Sequence, residues 1–208
     1  MLSSKPHCQP SFFARGLPSS TRFGVAIHVL DSCSAAEALS EAPPGRFADL
    51  GSGAGYPGIA LSIVTGRPVD LIEATKKKGE FLRSVFEDLC LNATVRPIRA
   101  EELALEQPKT YAAVTARAVA PLAALVELAA PLLVPGGTLI CLKGAPTEEE
   151  TRAGDAAAAL CGMSAGRQRP VSVPGLDARR SLVLYQRIGE SKVRLPRRPG
   201  MAQSRPLA

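Results

Sequence analysis

Paired cysteines are missing from this chain of 208 residues: its five thiols, Cys8, Cys33, Cys90, Cys141 and Cys161, are odd in number and never fall at C-x-x-C spacing. That pattern argues against a disulfide framework and against a zinc site. Reduced thiols in a cytoplasmic setting are the expectation, with no bound metal. Long apolar runs are missing too. No stretch of about 18 residues escapes interruption by charge, Pro or Gly, so no membrane helix and no membrane partner are expected. The first 20 residues hold no Asp or Glu and no apolar core of about 7–15 residues before a cleavage site, which argues against a secretory signal. Residues 1–21 read as a disordered extension. Internal repeats and low-complexity blocks are absent as well.

What is present is a chain that is 46% hydrophobic, long enough for one domain with a sizeable core and short for two. The net charge of +6 is unevenly placed. Residues 186–208 carry six Lys and Arg against Glu190 alone, so a basic tail over 191–208 follows a domain over 22–190. Such a tail suits a polyanion, although a merely solvated terminus would read the same way.

Strand and helix signals alternate from about residue 22. The strands are "RFADL", "PVDLIEA", "ATVRPI", "YAAVTAR" and "PGGTLICLKG", the last opened by a tight turn. The helices are "PGIALSIV", opened by Pro57, the amphipathic "KKKGEFLRSVFEDLCL", and "PLAALVELAAPLLV", expected to be buried throughout. Thr147 and Glu150 form a capping box for "TEEETRAGDAAAALCG". "RPVSVPG" and "RRSLVLYQRI" close the chain as a hairpin whose last strand runs antiparallel to the rest. The fold class is a single doubly wound, Rossmann-like α/β domain.

The first strand runs into "FADLGSGAGYPGIALSI", residues 47–63, with Gly51, Gly53, Gly55 and Gly58 inside eight residues. Glycine at such density belongs where φ is positive or a ligand meets the main chain. Two frames fit. Gly53-x-Gly55-x-x-Gly58, with Glu73 twenty residues beyond Gly53, matches a dinucleotide fingerprint. Asp49-x-Gly51-x-Gly53-x-Gly55 matches the acidic-first loop of S-adenosylmethionine enzymes, with Glu73 on the ribose hydroxyls. The second frame is favoured because a carboxylate at Asp49 would repel pyrophosphate, because only about 65 residues follow the fifth strand, too few for a dehydrogenase's substrate domain, and because "VPGGTLI" before that strand is a methyltransferase habit.

"DLGSGAGYPGIALSI", "LIEATKKKGEFLRSV", "RAEEL", "VTARAVAPL" and "GGTLICLKG" resemble, in order and spacing, the ribosomal RNA small subunit methyltransferase G family, also called glucose-inhibited division protein B. The likeness runs from "IHVLDS" to "RLPRRPGMAQSRPL". It departs in lacking the Asn-Leu-Thr segment expected before "IHVLDS", and in Tyr56, where relatives often carry Phe or Leu. The resemblance implies a class I methyltransferase that takes a methyl group from S-adenosylmethionine, releasing S-adenosylhomocysteine, and places it on a guanine N7 of 16S ribosomal RNA. The partner would be that RNA or the small ribosomal subunit, met by a monomer. By position the resemblance assigns cofactor contacts to Gly51 and Tyr56 in the loop, Ala100 and Glu101 after the third strand, and Arg117 after the fourth; the glycine-loop frame itself adds Ser52, Gly53, Gly55 and Glu73 as cofactor contacts.

Guanine N7 has an in-plane lone pair and no proton, so no general base is demanded and no catalytic residue is assigned. The sequence also lacks an Asn/Asp-Pro-Pro-aromatic stretch after the fourth strand, as used on exocyclic amines, and a Pro-Cys nucleophile for cytosine; "TARAVAP" stands there instead. Candidate RNA contacts are His28, Lys143, Arg197 and Arg198, with Lys76, Lys77 and Lys78 more simply a solvated helix face. The competing functions are a cofactor-binding RNA factor that does not catalyse and an NAD-dependent oxidoreductase.

Overall fold

The structure, a computed structural model, describes residues 19–89 and 91–208. The extension expected over residues 1–21 lies outside it up to residue 18, as does Cys90, while residues 19–21 belong to the first helix, α1, Ser19–Cys33. Five strands run parallel: β1, Phe47–Leu50, β2, Val69–Ile72, β3, Ala93–Arg96, β4, Tyr111–Arg117, and β5, Leu133–Lys143. The closing hairpin, β6, Arg167–Val173, and β7, Leu176–Gln186, is antiparallel, and the sheet order is β3-β2-β1-β4-β5-β7-β6. The order reverses between β1 and β4. In open parallel sheets a crevice opens there, beyond the carboxyl ends of the strands.

Alternation along the strands divides the core between the two faces of the sheet. Phe47, Ala113, Ile140 and Leu184 pack with Leu39 of α2, Ala36–Glu41, Leu61 of α3, Gly58–Thr65, and Leu82 of α4, Lys76–Leu89. Ala48, Val114, Cys141 and Tyr185 face the other way, onto Leu103 of α5, Ala100–Glu106, Leu125 of α6, Leu122–Ala129, and Ala157 of α7, Glu148–Cys161. Thr147 caps α7 by accepting from the amide of Glu150 at 3.1 Å, but the Glu150 carboxylate turns away from the cap. Only half of the expected box forms.

One helix is shorter than its apolar pattern predicts. α6 stops at Ala129 instead of running on to Val134, and β5 starts at Leu133. Pro131 has no N–H with which to continue the helix. The released carbonyls of Ala130 and Leu133 accept from buried Arg187 at 3.0 and 2.7 Å.

The basic tail does not stand free. It crosses α6 and ends in a short helix, α8, Met201–Ser204, with Ala202 buried and Leu195 and Leu207 packed on the core. Arg197 forks onto the carboxylate of Glu127, a residue only 3% exposed within the otherwise apolar α6, at 2.6 and 2.5 Å. Arg198 is exposed. Removing one partner of a buried pair leaves the other charge unmatched, at a cost of about 3–5 kcal/mol. In urea unfolding Arg197→Ala is therefore expected to lose about 3 kcal/mol and Arg198→Ala less than about 0.5 kcal/mol. Equal, small losses would show that the strap is not held by this pair.

Candidate active site

The glycine loop leaves β1 with Gly51, Gly53 and Gly55 at φ of 61°, 55° and 94°. L side chains avoid this region, so each alternate position calls for glycine. Four of the loop's amides are used within the protein. Those of Gly51 and Ser52 donate to the carbonyl of Ile72 at 2.9 and 3.2 Å, that of Gly55 to the carbonyl of Ser52 at 2.7 Å, and that of Gly53 to the Glu73 carboxylate at 3.0 Å. The amide of Gly58, which opens α3, donates to the carboxylate of Asp49 at 3.2 Å.

Asp49 is fully buried and also accepts from the Thr115 hydroxyl of β4 at 2.7 Å. Burial pushes its carboxyl up to about 6, against the opposing hydrogen bonds from Thr115, Ser52 and Gly58. The Ser52 hydroxyl is likewise turned inward, donating to the Asp49 carbonyl at 2.8 Å. Glu73, just past β2, accepts from the amides of Gly53 and Thr75 at 3.0 and 2.8 Å. Burial alone would raise its carboxyl, yet the Thr75 and Gly53 hydrogen bonds and the charge of Lys78 hold it below the usual range.

Glycines that look alike in sequence differ in what surrounds them. A Cβ on Gly51 would meet Val119 at 2.8 Å, and one on Gly55 would meet Ile59 at 2.3 Å; on Gly53 it meets only the Gly51 carbonyl, at 3.7 Å. Gly53 is therefore where the loop is bare toward open space, and Gly55 is required by packing. Beyond the loop, Gly51, Glu73, Ala100 and Glu101 line one cleft with Ile98, Val119 and Leu128. Glu101 is 8% exposed and accepts from the amide of Gly200, in the C-terminal strap, at 2.7 Å.

S-adenosylmethionine fits this cleft. It offers a cationic sulfonium, an ammonium and ribose hydroxyls, which favour acceptors, and one carboxylate, which favours a cation; the cleft's lining supplies the carboxylates of Glu73 and Glu101 and the guanidinium of Arg99. A dinucleotide does not fit as well: the amide at the start of α3 that would receive its pyrophosphate already holds Asp49.

Tyr56, Arg117 and His28 meet where the glycine loop runs into α3, and none of them lines this cleft. The Arg117 guanidinium lies 5.2 Å over the Tyr56 ring, and the His28 ring is 5.9 Å from it. Arg117 donates to Asp31 at 3.1 Å, and Asp31, 8% exposed, also accepts from Arg180 of β7 at 3.2 Å. Two guanidiniums share one carboxylate, leaving this surface net positive. Lys143 ends β5 nearby but is spent on Glu150 at 2.6 Å and on the carbonyl of Ala120 at 3.0 Å. Arg197 is spent on Glu127 and lies with Arg198 on the strap, apart from His28 and Lys143. Sequence reasoning missed Thr115, which stands in "VTARAVAPL" with no role assigned to it there, and Arg180, which sits in no motif. Among the described residues, no group of three His, Cys, Asp or Glu stands together as a metal site, and no helix is long and apolar enough to cross a membrane.

Comparison with known proteins agrees with this geometry. Residues 20–182 match the family described as rRNA small subunit methyltransferase G. The chain is 41% identical to the ribosomal RNA small subunit methyltransferase G of Chloroflexus aggregans over 186 residues, 86% of this chain and 76% of that one. To the protein of that name in Rubrobacter xylanophilus it is 42% identical over 191 residues, 86% and 72%. Among solved structures, a SAM-dependent O-methyltransferase from Thermotoga maritima superposes with a TM-score of 0.56 at 14% identity, covering 78% of this chain and 66% of that one. Geranyl diphosphate C-methyltransferase from Streptomyces coelicolor, solved with S-adenosyl-L-homocysteine, gives 0.55 at 13% identity, covering 74% and 78%. Both share its fold.

Gly53→Ala is expected to fold, at a cost of about 1–2 kcal/mol for a left-handed non-glycine residue, and to lose S-adenosylhomocysteine binding in calorimetry. Gly55→Ala, which must displace Ile59, is expected to lower the unfolding midpoint further. Equal midpoints would reject this division of labour. Asp49 binds its proton more tightly folded than unfolded. Its contribution to stability is thus complete below about 3.8 and is lost as pH rises through about 6. The change is on the order of 3 kcal/mol, and Asp49→Asn is expected to flatten it in unfolding titrations between pH 4 and about 7.

Proposed function

We propose that this chain, which belongs to the rRNA small subunit methyltransferase G family, transfers a methyl group from S-adenosylmethionine to N7 of a guanosine in 16S ribosomal RNA. The observation that carries the reading is the glycine loop. Its amides at Gly51, Ser52, Gly53 and Gly55 are satisfied internally, it is bare at Gly53, and it stands over the carboxylate of Glu73, an arrangement suited to a cationic, phosphate-free cofactor. The same loop disfavours an oxidoreductase, and its intact carboxylates and open face disfavour a non-catalytic factor.

S-adenosylmethionine, when bound, supplies an electrophilic methyl on sulfur. Everything else falls to positioning and charge, because N7 needs no deprotonation. Glu73 is suited to accept from the ribose hydroxyls through its remaining lone pairs, and the bare backbone at Gly53 admits the ligand to contact distance. Ala100 and Glu101 bound the cleft after β3. Tyr56 offers a flat apolar face on which a guanine can stack. Arg117, fixed by Asp31, braces the Tyr56 ring, and with Arg180 it gives this surface a positive rim for RNA phosphate, beside His28. Arg198 extends that character along the strap, while Lys143 and Arg197 serve the fold. The chain acts as a monomer in the cytoplasm, on the RNA or on the assembled subunit.

The test is methyl incorporation from labelled S-adenosylmethionine into naked 16S RNA, small subunits and free guanosine, with N7 methylation read by base-labile strand scission. Incorporation into RNA or subunits, but not into guanosine, is expected. Efficient methylation of guanosine, or label at another atom, would overturn the reading. Glu73→Ala is expected to weaken cofactor binding by about 1.5–3 kcal/mol, the worth of hydrogen bonds to a charged group.

A further inference from the structure

The C-terminal strap reaches the cofactor cleft. Three contacts fix its path: the Arg197 fork on Glu127 at 2.6 and 2.5 Å, the Gly200 amide on Glu101 at 2.7 Å, and Ala202, 1% exposed against α6. Gly200 takes a φ of 83°, which turns the chain into α8. The result is that Gln203, far in sequence from the glycine loop, lines the same cleft as Gly51, Glu73, Ala100 and Leu128.

Gln203 is exposed, and among the described residues its carboxamide makes no hydrogen bond. Nothing in the fold therefore accounts for it. Glu73 gives the cleft a carboxylate suited to ribose hydroxyls, while Ile98, Val119 and Leu128 give it apolar surface suited to a flat ring. A carboxamide offers one acceptor and two donors, and the edge of adenine presents an amine beside a ring nitrogen acceptor. The two match as a bidentate pair.

We propose that the strap completes the cofactor pocket and that the Gln203 carboxamide hydrogen-bonds the edge of the adenine ring. This rests on reading the cleft as the S-adenosylmethionine site. It gives the basic tail a part in cofactor binding, with Arg197 as the anchor that brings Gln203 into place.

The full-length protein and its Gln203→Ala variant would be titrated calorimetrically with S-adenosylhomocysteine and with adenosine, and their thermal midpoints compared. Because the side chain has no partner in the fold, the midpoint is expected to stay unchanged. Both ligands are expected to bind about three- to tenfold more weakly, the effect of one or two neutral hydrogen bonds. Unchanged affinity for both, or a loss confined to S-adenosylhomocysteine, would overturn the adenine contact. A lowered midpoint accompanying the affinity loss would also overturn it, by making Gln203 a part of the fold. A wild-type protein that binds neither ligand would instead overturn the cofactor reading of the cleft, and this proposal with it.

Discussion

The carboxylate of Asp49 ties the end of β1 to the first turn of α3 through the Gly58 amide and to β4 through the Thr115 hydroxyl, all without access to water. A helix start is an anion site by construction, since its amides lack intrahelical partners and its dipole points positive end outward. Here the protein fills that site with its own acid. The loop is thereby held in three left-handed turns that an unbraced chain would not keep, and phosphate loses its natural seat. What remains open is an acceptor-rich cleft, which selects for positive charge. The choice between a dinucleotide and a sulfonium cofactor thus follows from one buried side chain.

Around Asp31 charge is arranged in the opposite sense. Asp31 binds Arg117 and Arg180 together, so one negative charge is shared by two positive ones and this surface keeps a surplus. Glu73 and Glu101 line the proposed cofactor cleft, and Arg117 and Arg180 stand outside it. A neutral guanine attacking a cationic donor, in an RNA whose phosphates lie outside, meets complementary potential at each layer.

Much of this was legible in sequence because it is local. The alternating strands, the glycine loop and Glu73 are each read within a few tens of residues, and the parallel sheet with its antiparallel close followed from them. Periodicity could not end α6, since Leu132, Leu133 and Val134 continue an apolar pattern while Pro131 and the distant Arg187 dictate the break. Lys143 and Arg197 looked like free cations because a sequence displays charges without their partners. One signal was available: Glu127, alone in an otherwise apolar helix, demanded a cation. The glycines illustrate the same limit, since spacing cannot tell a residue that faces a ligand from one that faces Ile59.

The bond between Asp31 and Arg180 joins residues 149 positions apart, whereas the loop, Asp49, Glu73 and Thr115 lie within one central segment. Closing a long stretch of chain costs entropy before any contact repays it, so distant pairs form late and part early. The glycine-loop wall of the cleft can therefore assemble while the flanking chain is still loose. The part that admits the nucleic acid exists only once β7 has slotted between β5 and β6 and met the first helix. Readiness to act on RNA is in this sense a report that the whole chain has finished folding.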